Sequence, residues 1–221
     1  IILGQLFRNS QLASQQQFSE QPTPEITTQI SQAKIITSDL NNPDGLVMLP
    51  DNSILVIERK GIVRYIDRFG NLRSTPAVVL PQVKSTDTVG LLGITLHPDY
   101  LGNHYVYLYY TYSVVRSDTL SRVVRMTLSQ YQLVNEKIIL DNIPGTLGNP
   151  GGRIAFGPDR FLYIGTGDTD NPSRAQDTNS IVGKILRLID DGRQAPGNPF
   201  NNLVFSLGQS NPRGITWDRW G

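Results

Sequence analysis

The chain has 221 residues, of which 38% are hydrophobic and 18% charged, enough for one sizeable all-β or barrel-type unit and unlike a collagen-like or disordered composition. Twenty Lys+Arg against nineteen Asp+Glu give a net charge of +1, so no basic field points to nucleic acid. With no cysteine, disulfides, thiolate metal sites and cysteine nucleophiles are excluded, and no apolar run approaches the roughly 18 residues of a membrane-spanning helix.

Residues 1–33 differ from the rest. Gln11, Gln15, Gln16 and Gln17 precede Pro22 and Pro24, and only a weak amphipathic pattern covers Leu3 to Phe18. This reads as an N-terminal extension or linker, or as an arm that docks on a partner. The first residue is Ile1 rather than Met, which reads as a processed or truncated front.

From Lys34 onward short strands alternate with glycine-rich turns. Ile54–Ile57 and Ile62–Ile66 flank Glu58-Arg59-Lys60-Gly61 and predict a hairpin. Val106–Tyr112 is aromatic and β-branched, and Leu120–Met126 is its expected partner. Tyr105, Tyr107 and Tyr109 alternate with period two and are predicted to line one sheet face. Ile154–Phe156 and Phe161–Ile164 flank the turn Gly157-Pro158-Asp159-Arg160, and Lys184–Ile189 reads as a further strand.

The segments repeat. Asn42 to Asp51, Gly90 to Asp99 and Gly151 to Asp159 each read as a strand running into a Pro-Asp turn, with a second strand behind it; Asn211-Pro212-Arg213-Gly214-Ile215-Thr216-Trp217-Asp218 opens a fourth copy. The anchoring aspartates fall at 51, 99, 159 and 218, which are 48, 60 and 59 residues apart. Proline presets φ and aspartate caps the turn. Modules at this period fit propeller blades of about 40 to 50 residues carrying insertions, each burying its faces only against its neighbours. Three repeats and the start of a fourth make an uncomfortable ring. The spacing therefore predicts an all-β propeller that is incomplete in this chain, about four blades or fewer. The missing blades are expected from the remainder of a longer protein or from another chain.

At this point the sequence resembles the soluble quinoprotein glucose/sorbosone dehydrogenases, or aldose sugar dehydrogenases. The stretches that carry the likeness are Gly90-Leu91-Leu92-Gly93-Ile94-Thr95-Leu96-His97-Pro98-Asp99-Tyr100, Gly151-Gly152-Arg153-Ile154-Ala155-Phe156-Gly157-Pro158-Asp159 and Leu162-Tyr163-Ile164-Gly165-Thr166-Gly167-Asp168. Ala175-Gln176-Asp177, Gly183-Lys184-Ile185-Leu186-Arg187 and Ser210-Asn211-Pro212-Arg213-Gly214 continue it. The likeness covers residues 34–221, so the expected domains are an extension over 1–33 and a partial propeller over 34–221. It implies a six-bladed β-propeller holding pyrroloquinoline quinone (PQQ) supported by Ca²⁺. It also implies oxidation of an aldose C1 hydroxyl to a lactone, with electrons passed to an external acceptor, and a periplasmic or secreted location.

Carried over position by position, the resemblance points to five residues. The catalytic histidine just before Gly-Gly-Arg is matched by Asn149, whose amide does not titrate near neutrality and cannot act as a general base. The family aspartate that orients the histidine is matched by Asp168. The acidic or amide side chain near the cofactor is matched by Thr88. The arginine that pairs with a cofactor carboxylate is matched by Ser210, which removes a charge-assisted bidentate donor. The cofactor-contacting asparagine is retained as Asn211.

Other groups carry plainer expectations. His97 and His104 flank a turn and read as structural; two histidines make no multi-histidine metal cluster. Asp168, Asp170 and Asp177, with Asn171 and Asn179, offer hard oxygen ligands for Ca²⁺ or simple Asx turns, and no metal ligand is assigned. Arg153 reads as a structural hydrogen-bond donor, Lys184 resembles a phosphate loop only by accident, and Trp217 and Trp220 are expected in the fourth blade. Three readings follow: the first is a PQQ-dependent sugar dehydrogenase-like protein impaired by Asn149, with a small sugar as substrate, and the second a non-enzymatic propeller that binds partners through its loops. A calcium-dependent structural module is the third.

Overall fold

The structure is a computed structural model that describes residues 33–114 and 119–219. The extension expected over 1–33 therefore lies, up to residue 32, outside the described residues, as does Trp220.

Twelve strands form three four-stranded antiparallel sheets. The first sheet joins β1 (Pro43–Met48), β2 (Ile54–Glu58), β3 (Ile62–Ile66) and β4 (Val78–Val79) in chain order. The second joins β5 (Leu91–Leu96), β6 (Tyr105–Tyr112), β7 (Leu120–Ser129) and β8 (Gln132–Pro144), and the third β9 (Gly151–Phe156), β10 (Leu162–Thr166), β11 (Ile185–Leu188) and β12 (Val204–Ser206). Two short helices interrupt them: α1 (Tyr100–Asn103) between β5 and β6, and α2 (Pro172–Gln176) between β10 and β11. Each sheet is a blade-like meander, and β5 packs between β1 and β9.

The predicted hairpin is β2–β3, paired from Ile54 with Ile66 to Glu58 with Ile62. The Pro-Asp turns behave as expected in the first and third modules. Asp51 Oδ1 accepts the Ser53 amide at 3.0 Å, and Asp159 Oδ1 accepts the Phe161 amide at 3.2 Å. The second module differs. There the chain after Asp99 winds through α1 and leaves it at His104 in the left-handed region, φ 56°. The four residues Tyr100–Asn103 have room for a helical turn where the other modules reverse directly.

Side-chain alternation along β6 builds both hydrophobic cores. Val106, Leu108, Tyr110 and Tyr112 face the first sheet, joining Leu55, Ile57, Val63 and Leu91. Tyr107 and Tyr109 face the third sheet, joining Ile154, Leu162, Ile164 and Leu186, with Tyr105 packed against them. The single face expected for Tyr105, Tyr107 and Tyr109 is thus the one between the second and third sheets.

The opening of the fourth copy is seen only in part. Residues 211–218 form no strand, because a strand needs a neighbour to receive its backbone groups. Trp217 packs instead on the third sheet, its ring 5.1 Å from Tyr163 in an edge-on arrangement. Three strands had no counterpart in the sequence reading, the long β8 and the short β4 and β12. β8 is polar at Asn135, Glu136 and Lys137, and these are exposed on an outer strand.

Candidate functional site around Asp168

Three loops meet where β9 begins and β10 ends. The first, residues 145–150, leads into β9. Thr146 Oγ1 accepts the amides of Gly148 and Asn149 at 3.3 and 3.2 Å, which turns the chain and aims the Asn149 side chain. The second leaves β10 at Gly167 and Asp168. The third, residues 207–211, follows β12.

Close approach of the first two loops depends on Gly167. A Cβ there would lie 1.7 Å from the Asn149 carbonyl oxygen, so no other residue lets the backbones pass. Gly151 and Gly152, at φ +70° and +111°, then turn the chain into β9 in a conformation that side chains rarely adopt. The third loop is stitched to the second by the Asp168 amide donating to the Ser210 carbonyl at 2.7 Å and the Gln209 amide donating to the Gly183 carbonyl at 3.0 Å.

Asp168 is the centre. It is 4% exposed. Its Oδ1 accepts the Asn149 amide nitrogen at 2.9 Å and the Asp170 backbone amide at 3.0 Å. Its Oδ2 accepts the Ser210 hydroxyl at 2.9 Å. Burial on its own raises the carboxyl pKa, but the bonds from Asn149, Ser210 and the Asp170 amide outweigh it, and the group is held below the ordinary 3.8. Asp168 is therefore ionised at neutral pH, with both oxygens occupied, and is a poor proton acceptor.

Asn211 flanks the cluster. Its Oδ1 accepts the Gly151 amide at 3.0 Å, fixing the start of β9. Thr88, on the loop before β5, does not touch Asp168; its hydroxyl donates to the Leu147 carbonyl and so ties that loop to the one bearing Asn149. The five positions drawn from the sequence thus lie on adjoining loops. Asn149, Asp168 and Ser210 form one bonded cluster, Asn211 abuts it through Gly151, and Thr88 joins through the backbone at Leu147.

Asp177 Oδ1 accepts the Asn179 amide at 2.9 Å, as Asp168 accepts that of Asp170, which is the Asx-turn geometry. Among the described residues no group of three or more His, Asp or Glu side chains converges on a metal position.

Two supports escaped the sequence reading. Tyr109 donates its hydroxyl to the Pro150 carbonyl at 2.9 Å, fixing the residue next to Asn149 from the neighbouring sheet. Lys184, 0% exposed, donates to the carbonyls of Arg174, Ala175 and Val182 at 2.8, 2.8 and 2.7 Å. It ties α2, in the middle of the loop that Asp168 opens, to the far end of that loop at Val182. The available signal was a lysine leading directly into the apolar run Ile185-Leu186.

The family model described as Glucose / Sorbosone dehydrogenase matches residues 40–221. The solved PQQ-bound aldose sugar dehydrogenase of Streptomyces coelicolor is 39% identical, with a TM-score of 0.77 over 85% of this chain and 56% of that one. Quinoprotein glucose dehydrogenase B of Acinetobacter calcoaceticus is 30% identical over 83% of this chain and 45% of its own length. The human hedgehog-interacting protein is 28% identical over 80% of this chain and 27% of its own length. The chain spans about half the length of the dehydrogenases it matches. It is a member of the glucose/sorbosone dehydrogenase family.

Proposed function

We propose that the protein containing this chain is a PQQ-dependent aldose dehydrogenase-like protein in which C1 oxidation to a lactone is impaired. The observation that carries this is the hydrogen bond from the Asn149 amide to Asp168 Oδ1, 2.9 Å. An amide occupies the place where proton removal needs a base, and it is oriented by the carboxylate that would orient one. Asp168 does not replace it, because its pKa is lowered and both its oxygens already accept hydrogen bonds.

PQQ is a polyanionic quinone whose chemistry is hydride acceptance, with Ca²⁺ as its support. The residues of this cluster do not fit it as base and anchor. Asn149 and Ser210 are neutral, both donate to Asp168, and among the described residues no arginine or lysine hydrogen-bonds to Asp168. The polar frame that remains is Asn211 and the glycine-lined entry to β9.

The second reading is a propeller that binds a partner through its loops without catalysis. It is favoured by the neutral, internally satisfied cluster and by the likeness to the hedgehog-interacting protein, a relative named for an interaction. One experiment separates the two. The full-length protein is supplied with PQQ and Ca²⁺, and its quinone spectrum and aldose-dependent reduction of an artificial acceptor are recorded. The expected result is a bound quinone with slow turnover that rises on the order of 100-fold in Asn149→His, the usual worth of a positioned base. A protein that takes up no quinone sinks the dehydrogenase reading and leaves the binding one.

A further inference from the structure

A second concave site lies at the opposite end of the strands. The turn 49–53 closes β1 onto β2, α1 follows β5, and the turn 129–131 joins β7 to β8, whereas the Asp168 cluster lies where β9 begins. Between these three segments is a cleft of about 450 Å³, within the range of ligand sites. Tyr65, Tyr100 and Tyr131 line it together with His104, Leu128 and Asp51.

The chemistry of the walls is one-sided. Asp51 is their only carboxylate, and no lysine or arginine lines the cleft. Asp51 is exposed; its Oδ1 takes the Ser53 amide at 3.0 Å, and among the described residues its Oδ2 has no partner. The tyrosines are neutral phenols. Burial, and after it the Asp51 charge, pushes the Tyr100 hydroxyl up to about 12. Tyr131 meets Tyr65 edge-on at 5.1 Å, and the Arg73 guanidinium sits 4.1 Å from the Tyr131 centroid, so the protein already uses that ring as a platform for a cation.

Electron-rich ring faces beside one carboxylate attract a positive group that carries alkyl substituents. An anion would meet Asp51 among lining residues that include no lysine or arginine, the nearby Arg73 guanidinium being engaged on the Tyr131 ring, and a neutral molecule of the same shape gains nothing from that carboxylate. We propose that this cleft binds an alkylated ammonium group, with Asp51 balancing its charge and the tyrosines surrounding its methyl groups.

Choline and its uncharged isostere 3,3-dimethylbutan-1-ol test this by calorimetric titration of the full chain. Choline is expected to bind about tenfold more tightly than the isostere. Asp51→Asn keeps an oxygen acceptor for the Ser53 amide, and hence the turn, and is expected to bring choline down to the level of the isostere. Tyr100→Leu is expected to weaken choline about fivefold. Asn149→His, at the other end of the strands, leaves choline binding unchanged. Equal affinity for the two ligands, no choline binding, or choline affinity unaltered in Asp51→Asn overturns the proposal.

Discussion

Lys184 shows how one buried side chain holds a functional loop. Its ammonium is taken out of water, which lowers its pKa despite the nearby Asp177 charge, and three carbonyls replace the lost hydration. Lys184→Met keeps the apolar stem and removes every donor. It is expected to cost about 3 kcal/mol, because hydrogen bonds from a charged group are lost and buried acceptors are left unpaired. Urea denaturation measures the loss. The five positions taken from the sequence each stand at a fixed offset from a glycine-rich motif, and the loops that carry them adjoin. The bonding among them was not legible in the sequence. That Asn149 would donate to Asp168 depends on a backbone crossing at Gly167 between loops 19 residues apart, and nothing local in either loop encodes it.

At the scale of elements, β6 contributes to both hydrophobic cores. Its period-two pattern of aromatic and aliphatic residues was readable, and so was the common face of Tyr105, Tyr107 and Tyr109. What the pattern could not give was the destination of each hydroxyl. Tyr107 reaches the Asp190 carbonyl and Tyr109 the Pro150 carbonyl, both at 2.9 Å and both on segments of the third sheet's module. Tyr109→Phe keeps the ring packing and leaves the Pro150 oxygen without its donor. A loss of about 1 to 2 kcal/mol in thermal or urea unfolding is expected, with altered amide chemical shifts at Asn149 and Gly151. β8 was missed because its exposed middle, Asn135 to Lys137, has the polarity of a loop, and only its pairing with β7 makes it a strand. The fourth module was legible as a repeat but forms no strand, because repetition of a motif does not supply a neighbour to pair with.

At the scale of the whole molecule, the contacts between sheets set how stability responds to acid. His97, from the second sheet, stacks on Tyr107 at 6.2 Å and meets Phe156 of the third sheet edge-on at 5.3 Å. Its Nε2 lies 3.5 Å from Asp190. Burial lowers its pKa below 6.5, opposed by the charges of Asp190 and Asp99 and aided by that of Arg160. A histidine with a lowered folded pKa takes up its proton first in the unfolded chain, so stability declines as pH falls from 6.5 toward the folded value. Asp168, Asp159 and Asp141 have folded pKa values below 3.8. Their contribution is complete above 3.8 and is lost as pH falls through the folded values. The melting temperature is therefore expected to fall in two stages on acidification, and His97→Gln is expected to remove the first while leaving the second.

Every sheet takes its four strands from one uninterrupted stretch of chain, without exchange between stretches. Pairing within a sheet never has to close a loop across another sheet, and closure entropy grows only slowly with the length of the connection. During synthesis a meander has all its partners as soon as its last strand leaves the ribosome. It can then offer a finished surface for the next one to settle on. Assembly by accretion, one module seated on its predecessor, is built into this connectivity, and the side of the newest module stays apolar and uncovered until its successor arrives.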